Sequence, residues 1–81
     1  MDIKKKEIQF PYDLFGRYAA NLVYAFEALP FEIWIVKNDI KVNAKSFIGV
    51  LSSAIRHGET ITVYVNGSND DLQKVIDLIF E

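Results

Sequence analysis

The stretch ETITVYVNG, residues 59–67, constrains the fold more than any other. Ile61, Val63 and Val65 fall on one side of it, Thr62 and Tyr64 on the other. Side chains alternate along a strand, so this pattern describes a strand with one dry face and one wet face. Such a strand needs a sheet around it and a covering layer on one side only. The chain has 81 residues, of which 51% are hydrophobic, and no cysteine. No disulfide can hold that covering layer, so apolar packing must do it.

The rest of the chain supplies the missing pieces. Residues 3–10 read as a strand in which Ile8 and Phe10 share a face with Lys4 and Lys6, so only its second half can turn fully inward. Pro11 ends it. From Gly16 to about Ala28 the period becomes helical, with Ala19, Leu22, Val23, Phe26 and Leu29 on one stripe. Pro30 stops that helix. FEIWIVKN is a strand rich in branched and aromatic residues, Asn38-Asp39 is a hairpin signal, and IKVN is the returning partner. A short helix is expected from Ser46 to about Ser53, with Gly58 in the turn beyond it. SNDD opens a last helix whose stripe is Leu72, Val75, Ile76 and Ile79. The order is β-α-β-β-α-β-α, which predicts one α+β domain over residues 1–81. It comprises a single sheet with helices on one face. The uncovered face would carry mostly polar residues, with Trp34, Val36 and Tyr64 as the exceptions.

Charge and composition exclude several functions. A formal charge of −2 lacks the basic footprint of a nucleic-acid binder. Lys4-Lys5-Lys6 is answered by Glu7 and reads as a guarded strand edge. No signal peptide or membrane span is visible, so a cytoplasmic protein is expected. Asp70-Asp71 are helix-start charges, and Glu27 and Glu32 flank Pro30 with no partner implied by spacing. No metal cluster, phosphate loop or triad can be drawn. The expectation is a non-enzyme without cofactor. His57, the single histidine, reads as a surface residue near a helix end.

The order of elements and the run VNAKSFIGVLSSAI together resemble the HPr family, the small phosphocarriers of the bacterial sugar phosphotransferase system. The family pattern Asn-x-Lys-Ser-[Ile/Leu]-[Met/Leu]-Gly-[Val/Leu]-[Met/Leu] stands here as Asn43, Ala44, Lys45, Ser46, Phe47, Ile48, Gly49, Val50 and Leu51. The resemblance covers nearly the whole chain. It implies an open-faced β-sandwich with a four-stranded antiparallel sheet. The family's other signature, Gly-[Leu/Ile]-His-Ala-Arg-Pro-Ala, matches DLFGRYAA at Leu14, Arg17 and Ala19. Phe15 stands at the place of the phospho-accepting histidine, Gly16 replaces the alanine and Tyr18 the proline. A phenyl ring has no lone pair for a phosphoryl group, so the family's transfer chemistry is expected to be lost.

Two readings of Ser46 stay open. As a helix N-cap, its hydroxyl would accept a backbone N–H. The resemblance implies a second role. In many Gram-positive members the matching serine is phosphorylated by HPr kinase/phosphorylase, and the product binds a catabolite-control transcription factor. A subgroup of the family, Crh, lacks the histidine and keeps this serine, with a polar residue where Phe15 stands. The resemblance also implies a docking surface of Arg17, Lys45, Phe47, Ile48 and Leu51. Phe15 would extend that surface as an apolar residue. The expected function is a regulatory docking protein with protein partners. The alternative is a module for an unrelated partner, with Ser46 only a cap. Trp34, Val36 and Tyr64 raise self-association through the open face. The expected state is therefore a monomer or weak homodimer.

Overall fold

The computed structural model describes residues 2–81. Strands β1 (Ile3–Gln9), β2 (Ile33–Lys37), β3 (Ile40–Asn43) and β4 (Thr60–Asn66) form one antiparallel sheet in the order β1-β4-β2-β3. Helices α1 (Gly16–Glu27), α2 (Phe47–Ser52) and α3 (Asn69–Phe80) complete the order read from the sequence. β4 is inserted between β1 and β2, so neither β1-α1-β2 nor β3-α2-β4 joins neighbouring strands. Each helix is thereby carried across the sheet on the same face.

The alternation of β4 is realised: Ile61, Val63 and Val65 are buried, while Thr62, Tyr64 and Asn66 face outward. Opposite them lie Ile33 and Ile35 of β2, and Ile8 of β1. Lys4 and Lys6 pair with Val65 and Val63 on that inward side, but of this stretch only Ile8, and Phe10 just beyond the strand, are buried. The core is closed by Ala19, Leu22, Val23 and Phe26 of α1, Val50 of α2, and Val75, Ile76 and Ile79 of α3. Burying each large aliphatic side chain contributes about 1.5–3 kcal/mol.

Local chemistry fixes the ends. Asn38 and Asp39 both have positive φ, 50° and 66°, as a type I′ hairpin turn requires. α3 opens on a capping box. The Asp71 N–H donates to Ser68 Oγ at 3.1 Å, and the Ser68 N–H to Asp71 Oδ2 at 2.9 Å. Gly67 leaves room for it, since a Cβ there would lie 2.5 Å from Asp71 Oδ2. α2 ends on Ala54, a non-glycine residue with φ 53°. Lys37 reaches over from β2, its ammonium donating to the carbonyls of Ser53 (3.2 Å) and Ala54 (2.7 Å) and to Glu59 Oε1 (3.0 Å). Glu59 Oε1 also accepts the Arg56 N–H at 2.6 Å. One lysine thus joins the sheet, the α2 terminus and the loop that leads into β4.

Two outcomes are expected. Ala54→Gly removes the cost of a Cβ in the left-handed region, about 1–2 kcal/mol, against the added entropy of an unfolded glycine. Urea unfolding should show a net gain of up to about 1 kcal/mol; a loss would contradict the geometry. The hydrogen bond from Lys37, then that from the Arg56 N–H, holds the Glu59 carboxyl below its usual value of 4.5. A depressed folded pKa contributes stability above the unfolded value, lost as pH falls through the folded one. Thermal unfolding followed from neutral pH to below 4.5 should therefore fall less for Glu59→Gln than for the parent chain.

Candidate functional site

The residues singled out in the sequence lie mainly on the outer faces of α1 and α2, which pack against each other. The N-terminal end of α1 is tied to the chain just beyond α2. The Leu14 N–H donates to the Ile55 carbonyl at 2.9 Å, and the His57 N–H to Asp13 Oδ1 at 2.8 Å. Leu14 and Ile55 are both buried. These bonds pull Asp13–Gly16 against the C-terminal end of α2. Phe15 and Leu51 consequently line one depression together with Asp13, Leu14, Ala54, Ile55 and Arg56.

Phe15 is the N-cap residue of α1 in extended conformation, and Gly16 takes φ +54° to start the helix. A glycine tolerates that φ without steric cost. The three helix starts differ. Ser46 caps α2 and Ser68 caps α3, but no side chain caps α1 and no acidic residue lies in its first turn. Phe15 is 71% exposed, so it adds little to the buried core. A second hollow on its other side is lined by Tyr12, Asp13, Arg17 and Tyr18. Tyr12 stacks edge-on against Phe10 at 5.0 Å and lies 5.2 Å from the tilted ring of Tyr18. Burial, then the neighbouring Tyr18, raises the Tyr12 hydroxyl above the usual tyrosine value. Of the two tyrosines flanking Phe15, the sequence marks Tyr18 only as a replacement for the signature's proline, and Tyr12 is not singled out there. The aromatic density of FPYDLFGRY was the available signal.

On α2 the exposed large apolar side chains are Phe47 and Ile48, 41% and 71% accessible, while Leu51 is half-buried against the core. Leu51 is one turn from both Phe47 and Ile48 and shares a hollow with Phe15, so it links the two ends of the apolar surface. Arg17 is exposed beside Phe15. Lys45 is placed differently from Arg17. Its ammonium donates to the Leu29 carbonyl at 2.6 Å, just past the end of α1, so its charge serves the contact between the two helices. Ser46 is half-buried, and its Oγ accepts the Gly49 N–H at 3.2 Å. A Cβ on Gly49 would come within 3.3 Å of that oxygen. His57 is exposed in the loop after α2, joined to the α1 start only through its backbone N–H.

Trp34, Val36 and Tyr64 lie on the opposite side of the molecule, half-buried on the uncovered sheet face. Trp34 and Tyr64 are direct cross-strand neighbours, and the Lys41 ammonium sits 4.3 Å from the Trp34 ring centroid. They form a patch separate from the α1–α2 surface. Among the described residues, no group of three or more His, Asp or Glu side chains is arranged to hold a metal. No helix there is long and apolar enough to cross a membrane.

Comparison with known proteins adds the family. The model for the PTS HPr component phosphorylation site matches residues 4–79. The chain belongs to the HPr family. It is 40% identical over 76 residues to the HPr-like protein Crh of Halalkalibacterium halodurans, covering 94% of this chain and 89% of that one. Among solved structures it is similar to the phosphocarrier protein HPr of Bacillus anthracis. The TM-score is 0.86 and the identity 31%, covering 95% of this chain and 96% of that one. It is also similar to Crh of Bacillus subtilis, with a TM-score of 0.72 and 28% identity over 98% of this chain and 93% of that one. That Crh structure is described as a dimer with a swapped domain. The family is one of phosphocarrier proteins that act by contact with other proteins of the phosphotransferase system.

The Ser46 geometry sets an expected cost. Ser46→Ala should lose about 1 kcal/mol of stability in urea unfolding, the worth of an N-cap. Phe15→Ala, by contrast, should leave stability within about 0.5 kcal/mol, as for an exposed side chain.

Proposed function

We propose that this chain is a regulatory docking protein of the phosphotransferase system that does not carry a phosphoryl group on histidine. The reading makes it a non-enzyme of the cytoplasm, with no cofactor or metal of its own. Phe15 carries this reading: an exposed apolar ring stands at the α1 start, at the place of the family's phospho-acceptor. Arg17, Phe47, Ile48 and Leu51 supply the grip, and Lys45 holds the helices that present it. Ser46 is the regulatory position, taking a phosphate from HPr kinase/phosphorylase in carbon catabolite control. The similarity to Crh supports that assignment. A phosphate brings charge close to −2 and new acceptor oxygens to the edge of the docking surface, where a partner's arginines can read it.

A second reading is favoured by one observation. The Ser46 hydroxyl is half-buried and already engaged by the Gly49 N–H. On that reading Ser46 is only a cap, and the surface binds a partner outside catabolite control. Intact-mass measurement after incubation with HPr kinase and ATP separates the two. The first reading expects one added phosphate, absent in Ser46→Ala. No added phosphate would leave the second. For either reading, Phe15→Ala should weaken partner binding about tenfold or more in calorimetry, as for an apolar residue at an interface centre. Unchanged affinity would remove Phe15 from the surface.

The open face enters the same reading as a weak contact between copies. Lys41 roofs Trp34, and Val36 and Tyr64 are half-buried, which leaves little continuous apolar area. Sedimentation should show a monomer at low concentration. Any dimer at high concentration should be lost in Trp34→Ala.

A further inference from the structure

A third surface runs along the outer edge of β3, with Ser46 bordering it on the α2 side and Lys41 on the open-face side. Between the outer edge of β3 and α2 runs a groove of about 540 Å³, lined by all four residues of β3. Its opposite wall is one small-residue face of α2, formed by Ser46, Gly49, Ser52 and Ser53. That face is turned away from Phe47, Ile48 and Leu51. Ile40, at the mouth, is 65% exposed.

The backbone of β3 gives the groove its chemistry. The Ala44 N–H donates to the Ile33 carbonyl at 3.0 Å, in register with the Ile35–Val42 and Lys37–Ile40 pairs. Antiparallel hydrogen-bonded pairs recur at every second residue, so Val42 and Ile40 direct their polar groups at β2. The N–H and C=O of Lys41 and the N–H of Asn43 then point outward along the groove. The Asn43 carbonyl is already taken by the Ser46 N–H at 3.0 Å. The sheet's other edge, β1, is guarded by three consecutive lysines, the usual defence of an open edge. β3 carries no proline, and its one charged side chain is Lys41.

The occupant must therefore offer backbone groups in an extended conformation. Its charge follows from the lining. Lys37 and Lys41 are the charged residues there, and no carboxylate joins them. Lys37 is answered by Glu59, while the Lys41 ammonium lies over Trp34 on the open-face side of the same edge and, among the described residues, has no carboxylate partner. A strand added at β3 would set its own outward side chains beside it. We infer that the β3 edge is a strand-addition site for an extended acidic peptide segment of a partner protein. The segment would hydrogen-bond with Lys41 and Asn43 and rest small apolar side chains against Val42 and Gly49.

The test uses the full chain and three short acetylated, amidated peptides in which valine alternates with glutamate, threonine or lysine. Two-dimensional amide NMR reads the site. The glutamate peptide should shift the amides of Lys41, Asn43 and Gly49, slow exchange at the first two, and bind about tenfold or more tighter than the lysine peptide. Lys41→Pro removes both the outward N–H and the ammonium at an edge position that tolerates proline. It should weaken the glutamate peptide about tenfold, and the threonine peptide, which does not use the charge, as well. Lys41→Glu reverses the rim charge and should reverse the preference, which keeps the test decisive if the proline variant does not fold. Absence of shifts at Lys41 and Asn43, equal binding of all three peptides, or shifts confined to Phe15 and Leu51 or to Trp34 would each overturn the assignment.

Discussion

Ile61, Val63 and Val65 of β4, with Ile33 and Ile35 of β2, stay dry only because three short helices lie across one face of the sheet. With no cysteine to hold that cover in place, it is fixed by complementary apolar surface and by hydrogen bonds between elements distant in sequence. Every surface available for function is what this one-sided cover leaves over. The outer sides of α1 and α2, the bare face of the sheet and the edge of β3 are all consequences of it.

The cover is pinned at a few points, and these set the site's geometry. The bond from Leu14 to Ile55 brings the start of α1 to the end of α2, so Phe15 meets Leu51. The bond from Lys45 to Leu29 fixes the other ends of the same two helices. Lys37 closes the α2 terminus from the sheet. Phe15 and Arg17 are therefore displayed on a framework that other residues hold still, which is what protein–protein recognition needs from a small domain.

Local signals in the sequence anticipated nearly all of the elements. The alternation of β4, the stripes of α1 and α3, the Asn38-Asp39 turn and the serines at 46 and 68 each act within a few residues, and each is visible in a short window. The long-range bonds were not visible. Nothing in the composition of VNAKS says that Lys45 turns back to the end of α1, and nothing near Lys37 announces a helix terminus. The left-handed Ala54 was hidden for the same reason, since tertiary bonds hold it against its local preference. For the candidate site, the docking residues and Ser46 were read from a resemblance. The tyrosines beside Phe15 and the groove along β3 needed the fold.

On the proposed function, the α1 start keeps a docking surface but has no phosphoryl acceptor. The most direct measurement is intact mass at alkaline pH, where phosphohistidine survives, after incubation with enzyme I and phosphoenolpyruvate. The parent chain should take up no phosphate, and Phe15→His should gain one, because the extended N-cap residue, Gly16 and Arg17 are already in place. Phosphate on the parent chain, at His57 or elsewhere, would contradict the loss of transfer. An unmodified Phe15→His protein that still folds would contradict the persistence of the surface.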